Sequence, residues 1–236
     1  GDRAVGVDVF DGLQVRRIDA MQEVLVCAGA IDSPKLLMLS GIGDPAALQA
    51  HGIGVRHALP AVGLHLCDHP AAALVLTLRA PLAARPGSNL AEAGLFMKSA
   101  ASNGEYAADI QFHALPQAPA VTAAQGLAPA MSISTLVCRP LSRGRVALRS
   151  ADPVDAPLID PAYLTRPEDL ALQIEALREA RRIAAAEPLA RHLAGELAPG
   201  PAATTDADLA RYIRATGGCF FHPVGTCRMG PGEDAV

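Results

Sequence analysis

Runs of Lys and Arg are missing from this 236-residue chain, and aromatic residues make up only 3 % of it. Without a basic stripe interleaved with aromatics there is no electrostatic footprint for nucleic acid or an anionic membrane surface, and the net charge of −4 is only mildly acidic. No apolar stretch approaches the roughly 20 residues that a bilayer crossing needs, and the first residues lack the basic, apolar, small-residue succession of a signal peptide. No CxxC pair occurs among Cys27, Cys67, Cys138, Cys219 and Cys227. Their odd number and wide scatter argue against a disulfide framework and for reduced, mostly buried thiols in a cytoplasmic setting. The chain also has no internal repeat and no GxSxG elbow, which removes a serine hydrolase. Nor has it a GxGxxG that follows a strand and precedes an acidic residue about 20 positions on, the arrangement that cradles a dinucleotide. It opens on Gly1 and closes on Gly232, Glu233, Asp234, Ala235 and Val236, so both ends are expected to be cuts.

Half of the residues are apolar, enough for a sizeable buried core. The segments AVGVDVF and LQVRRI alternate on either side of Asp11-Gly12, a hairpin signal that predicts two antiparallel strands. Residues 23–27 (EVLVC) form a continuous apolar run, as a buried strand does, and lead into Ala28, Gly29 and Ala30. A helix is expected to start at Ser33 as cap, with Pro34 in its first position. A second helix follows by the same logic, with Asp44 as cap, Pro45 first and Gly52 as the stop after His51. From residue 71 the texture becomes separated strand-like runs, LVLTLRA, AGLFMKS, DIQFHAL, MSISTLV and GRVALRS, which predict one antiparallel sheet. Residues 167–186 carry Leu170, Ile174, Leu177, Ala180 and Ala184 at helical spacing, with acids early and arginines late, so an amphipathic helix should cover one face of that sheet. Thr205 and Asp208 form a capping box for a helix reaching about Ala215. The Ala- and Pro-rich stretches near 114–130 and 198–204 read as loops or a mobile lid.

Two motifs carry chemistry. In GAIDSPKLLMLSGIG, residues 29–43, two glycine turns flank a short helix and leave bare backbone at both ends. In FFHPVGTCRMG, residues 220–230, a histidine after two aromatics enters a loop shaped by Pro and Gly, where its imidazole can be held rigidly beside a pocket. The first motif resembles the second signature of the glucose-methanol-choline oxidoreductases, on Gly29, Ala30, Ser33, Pro34, the aliphatics 36–39, Ser40, Gly41, Ile42 and Gly43. The second is similar to the same family's C-terminal active-site motif, on the run from His222 through Pro223, Val224, Gly225, Thr226 and Cys227 to Gly230. Residues 59–70, LPAVGLHLCDHP, resemble the family's LPGVGxNLxDHP, with His65 in place of the usual Asn and Cys67 where Gln is common. RPLSRGRVALRSADP and PLIDPAYLTRPEDL are similar to its substrate-domain strands and the start of its long helix. The resemblance covers nearly the whole chain.

That resemblance implies a mixed α/β and α+β chain: part of an FAD-binding Rossmann-like domain in residues 1–70, an antiparallel-sheet substrate domain covered by helices in 71–216, and a return to the FAD domain with the active-site loop in 217–236. It implies FAD as cofactor, an alcohol as the small-molecule substrate and an electron acceptor that the sequence leaves unassigned. In such enzymes hydride passes from the alcohol carbon to flavin while a histidine takes the hydroxyl proton. An alcohol is too weak an acid to ionise at neutral pH, and an imidazole titrating near neutrality suits that task. His222 is the expected base. Ala28, Gly29, Ala30, Ser40, Gly41, Gly43, Pro223 and Val224 are the expected cofactor contacts. The missing GxGxxG is expected upstream and a second active-site His or Asn downstream, so this segment alone is expected to be inactive and to bind flavin weakly or not at all. Two other readings use the same residues. His65, Cys67 and His69 alternate, so on a strand they share one face and could ligate a metal, although neither they nor Cys219, His222 and Cys227 have a standard zinc spacing. The remaining reading is a remnant without catalysis that only folds or binds a partner.

Overall fold

A computed structural model describes residues 3–82, 87, 89, 91–102, 104, 108–116, 129–232 and 235–236. Alternation around Asp11-Gly12 produces the expected hairpin, β1 (Gly6–Phe10) and β2 (Val15–Asp19), paired antiparallel with Phe10 opposite Val15. Gly12 takes φ 94° in its loop, and the Asp11 carboxylate accepts from the N–H groups of Leu13 and Gln14. Residues 23–27 do not form the expected strand: they are irregular, and Leu25 and Val26 are exposed. An apolar run becomes a buried strand only beside pairing neighbours, and none flanks it among the described residues.

The first helix, α1 (Gly29–Leu39), starts four residues before its expected cap. Ser33 does not cap it but lies inside, where its Oγ accepts from the Ala28 N–H. Pro34 therefore interrupts a helix instead of opening one. Helix α2 (Pro45–Ala50) follows the expectation closely, with Asp44 accepting from the Ala47 N–H and Gly52 at φ 71° beyond the C-cap His51. Two short strands, β3 (Ile42–Gly43) and β4 (His57–Ala58), pair in parallel after these helices.

The larger layer is a six-stranded antiparallel sheet. β6 (Pro70–Leu78), β7 (Ala93–Met97), β8 (Ile110–Leu115) and β9 (Ala130–Val137) stand in the order 6-9-8-7, and β12 (Leu193–Ala198) and β13 (Gly218–Cys219) both pair with the free edge of β6. The GRVALRS run is not in this sheet. Its strand β10 (Gly144–Ala147) pairs instead with β5 (Leu64–Leu66) and β11 (Leu158–Asp160) in a separate small sheet. Alternation identifies a strand but not its partner, which depends on where the preceding loop delivers it.

Helix α3 (Pro167–Ala185) covers one face of the large sheet with Ile174, Leu177, Ala180 and Ala184, and α4 (Asp206–Thr216) adds Leu209 and Ile213. These meet Leu74, Leu76, Ile110, Phe112 and Ile133 in one continuous core. The capping box is present, Thr205 accepting from the Asp208 N–H and Asp208 from that of Thr205. The start of α3 is held from outside the helix: buried Asp169 accepts from the Leu141 and Ser142 N–H groups and the Ser142 hydroxyl, whose oxygen accepts from the Arg166 N–H.

The turn after β12 is tied down and is not a lid, because Arg181 pairs with Glu196 and also donates to the carbonyls of Gly200 and Ala203. Most of the other stretch read as a lid, residues 117–128, lies outside the described residues. All five cysteines are free thiols, but Cys27 and Cys227 are exposed and the other three half-buried, so the expectation of mostly buried thiols does not hold. No helix among the described residues is long and apolar enough to cross a membrane.

Candidate active site

His222 enters its position through a sharp bend. β13 brings Cys219 opposite Pro70, and Phe221 then takes φ 57°, a left-handed conformation costly for a bulky side chain. The bend turns the His222 N–H onto Asp68 Oδ1 at 2.9 Å. Beyond it, Val224 and Cys67 exchange backbone hydrogen bonds of 2.8 and 2.9 Å, and Gly63 N–H donates to the Thr226 carbonyl. Gly225 sits at φ 95°, and a Cβ there would meet the His65 carbonyl oxygen at 2.3 Å, so only glycine fits.

Asp68 is the hub of this arrangement. It is buried, its Oδ1 accepts from the N–H groups of both His69 and His222, and its Oδ2 accepts from the Tyr163 hydroxyl at 2.7 Å. Burial works against its charge. Hydrogen bonds from Tyr163, from His222 and His69, and from the Cys219 thiol outweigh that and hold its pKa below the usual carboxylate value. Tyr163 is pushed upward, first by burial and then by its bonds to Cys219 and Asp68, and so remains a proton donor.

Three histidines and a phenylalanine converge above this hub. The His222 and His69 rings meet edge to face, with their Nδ1 atoms 3.1 Å apart. His113, on β8, stacks on Phe220 with ring centroids 5.3 Å apart, and Phe220 meets His222 edge to face at 6.3 Å. Burial, and secondarily the neighbouring His222, lower the pKa of both His69 and His113, which favours their neutral forms. The His222 side chain itself is exposed. An apolar cavity of about 290 Å³ between α1, α2 and β10 shares no lining residue with this cluster.

The two sequence motifs are joined by one hydrogen bond. Pro34 has no N–H for the carbonyl of Ala30, one helical turn earlier, and the Thr226 hydroxyl donates to that oxygen at 2.5 Å. Thr226 is only 1 % exposed. The start of α1, with Ala28, Gly29 and Ala30, is thereby fixed beside the loop of His222, Pro223 and Val224. Gly29 has φ 75°, and a Cβ there would meet nothing within 4 Å, so this backbone faces open space. Ser40, Gly41 and Gly43 lie at the opposite end of α1. Gly41 has φ 84°, and a Cβ there would strike the Gly54 carbonyl oxygen at 2.4 Å, so packing accounts for this glycine.

Sequence reading found His222 and missed His113. Asp68, His69, Tyr163 and Phe220 stood in quoted motifs without the roles that the structure gives them. His65 has φ 63°, which breaks the alternation supposed to align it with Cys67 and His69, and among the described residues no group of three or more His, Cys, Asp or Glu side chains is placed to hold a metal ion.

The fold defines the class: a mixed α/β oxidoreductase fold in which a six-stranded antiparallel sheet packs against helices. Family models described as GMC oxidoreductase match residues 1–71 and 140–236, and the chain belongs to this FAD-dependent family. It is 40 % identical to choline oxidase of Arthrobacter globiformis, in an alignment covering 99 % of this chain and 44 % of that protein. It is 38 % identical to alcohol dehydrogenase [acceptor] of Pseudomonas putida, covering 99 % and 47 %. The solved structure of pyridoxine 4-oxidase from Mesorbium loti superposes with a TM-score of 0.88 at 30 % identity, over 100 % of this chain and 46 % of that one. The chain thus spans about half the length of the relatives it matches.

Proposed function

We propose that this chain supplies the catalytic-histidine half of an FAD-dependent oxidoreductase that oxidises the CH–OH group of an alcohol, with His222 as the base. The observation that carries this reading is the hydrogen bond from Thr226 to Ala30, which joins the His222 loop to the open glycine turn at the start of α1. The residues present fit the cofactor at that place. The first N–H groups of α1 have no helical partner, Gly29 leaves space that a side chain would fill, and Val224 adds an exposed apolar surface. Ala28, Gly29, Ala30, Pro223 and Val224 would hold the flavin, and Ser40, Gly41 and Gly43 would support the far end of the same helix. When bound, FAD accepts the hydride equivalent that alcohol oxidation releases.

The remaining work belongs to the chain's own residues. Asp68 and the Phe221 bend hold the backbone of His222, and Phe220 flanks its ring. His222 takes the hydroxyl proton, and neutral His69 and His113 beside it add no positive charge to oppose the resulting imidazolium. Choline-like alcohols are the first substrates to test, because choline oxidase and an alcohol dehydrogenase are among the similar proteins. In the flavin-loaded enzyme His222→Ala should slow flavin reduction by alcohol by roughly 10²-fold or more, as loss of a general base does, while flavin stays bound. Unchanged reduction kinetics would remove His222 from the chemistry.

A further inference from the structure

His69 and His222 face each other through the same ring atom, Nδ1 to Nδ1, at 3.1 Å. A contact of that length between two imidazole nitrogens needs one proton and one lone pair, so one Nδ1 is an N–H and the other is bare. The role of His222 decides which. With its Nδ1 turned toward His69, Nε2 is the only ring nitrogen of His222 left to take the alcohol proton, so that nitrogen must be bare. His222 must then carry its own hydrogen on Nδ1 and donate it to a bare Nδ1 of His69, whose hydrogen in the neutral ring sits on Nε2.

We propose that His69 is a positioning residue for the base: it fixes His222 in the Nδ1–H tautomer and so makes Nε2 the atom that takes the alcohol proton. The proposal rests on the role assigned to His222 above. It explains why Asp68 grips the backbone N–H groups of both histidines, since one carboxylate oxygen accepting from both sets the spacing of the two rings. It also gives the proton transfer a defined course. The alcohol O–H bond breaks, an Nε2–H bond forms, and the ring becomes cationic while its Nδ1–H stays on His69. That Nδ1–H bond is then charge-assisted and stronger than before, so the contact favours the product of proton transfer without a proton moving to His69. A histidine with no partner favours the opposite tautomer, with hydrogen on Nε2, in which the outward nitrogen is not basic.

The tautomer can be read without flavin or alcohol. Two-bond ¹H–¹⁵N correlation spectra of the 236-residue chain labelled at histidine, recorded at about pH 8 to keep imidazoles neutral, should show His222 with hydrogen on Nδ1 and His69 with hydrogen on Nε2. The His222 signals are assigned by their loss in His222→Ala. In His69→Leu, His222 should revert to the Nε2–H form. A wild-type His222 protonated on Nε2 overturns the proposal whatever the variant does, and so does a folded His69→Leu chain that keeps the Nδ1–H form. Because the measurement involves no redox chemistry, its failure leaves the alcohol-oxidation reading standing. Conversely, unchanged flavin reduction in His222→Ala would defeat that reading whichever tautomer the spectra show.

Discussion

The sheet-and-helix layer and the N-terminal segment use similar apolar residues to opposite effect. In the layer, Leu74, Ile110, Leu136, Leu177 and Leu209 are fully buried. In the segment, Leu13, Met21 and Leu25 are 93, 94 and 74 % exposed. The difference lies in partners. β6 has β9 along one edge and β12 and β13 along the other, with α3 across its face, whereas β1 and β2 have only each other and the run after them has no strand beside it among the described residues. Hydrophobic patterning states what a segment can bury, and pairing decides whether it does. The buried polar groups of the site lie outside that segment: Asp68 holds the backbone of His69 and His222, and Thr226 ties the His222 loop to the start of α1.

The largest effect expected from this contrast is in the core. Leu177→Ala should lower unfolding stability by about 2–5 kcal/mol, through lost burial plus a cavity that α3 and the sheet cannot close. The shift of the urea midpoint measures it, and a cost under 1 kcal/mol would mean that α3 packs loosely on the sheet. Next comes the junction. Thr226→Val keeps the side-chain shape but leaves the Ala30 carbonyl without its donor, at a cost of about 1–3 kcal/mol, and Thr226→Ser should recover most of it. Faster amide exchange at the start of α1 in Thr226→Val, but not in Thr226→Ser, would locate the loss. The reverse order, a stable Thr226→Val and a destabilised Thr226→Ser, would mean that the methyl group, not the hydroxyl, holds the junction.

A smaller effect should appear with pH. Burial, then the nearby His222, lowers the pKa of His69 and of His113 in the folded chain. The unfolded chain therefore takes up protons first as pH falls, beginning near the ordinary imidazole value of about 6.5. Their contribution to stability is complete above that value and declines as pH drops toward the folded pKa values. Melting temperatures measured from neutral to mildly acidic pH should fall on the acid side, and less steeply in His113→Gln. An identical slope in His113→Gln would show that this histidine titrates as it does in the unfolded chain.

Local signals were legible where the residues that cause an element also lie within it. Asp44 with Pro45, the Thr205 and Asp208 box, the apolar stripe of α3 and the Asp11-Gly12 hairpin all appear where the sequence puts them. Distant causes were not legible. Pro34 looks like a helix start because nothing near it offers a donor to the Ala30 carbonyl, and that donor stands 196 positions away. β10 lies in the small sheet between β5 and β11, partners that the alternation within residues 144–150 does not name. His222 was found through its motif, but His113 was not: a single histidine in an alternating strand looks like any polar strand residue until Phe220 is laid on it. Asp68 was present in a quoted motif, yet its role depends on the Tyr163 hydroxyl and the Phe221 bend, both supplied from far along the chain.

The smallest effect is expected in the segment itself, where it tests the comparison most directly. If Leu13, Met21 and Leu25 bury nothing in this chain, replacing each by Ser removes no packing, and each change should stay within about 0.5 kcal/mol of the parent's stability. The same replacement inside the core would combine a cavity with a buried hydroxyl and cost several times more. What should change is self-association, because three large apolar side chains on one short stretch are an adhesive surface. The triple variant should sediment with less concentration dependence than the parent while unfolding at the same urea midpoint. A drop in that midpoint would mean that the segment packs on the layer after all, and the contrast between the two regions would then be one of degree.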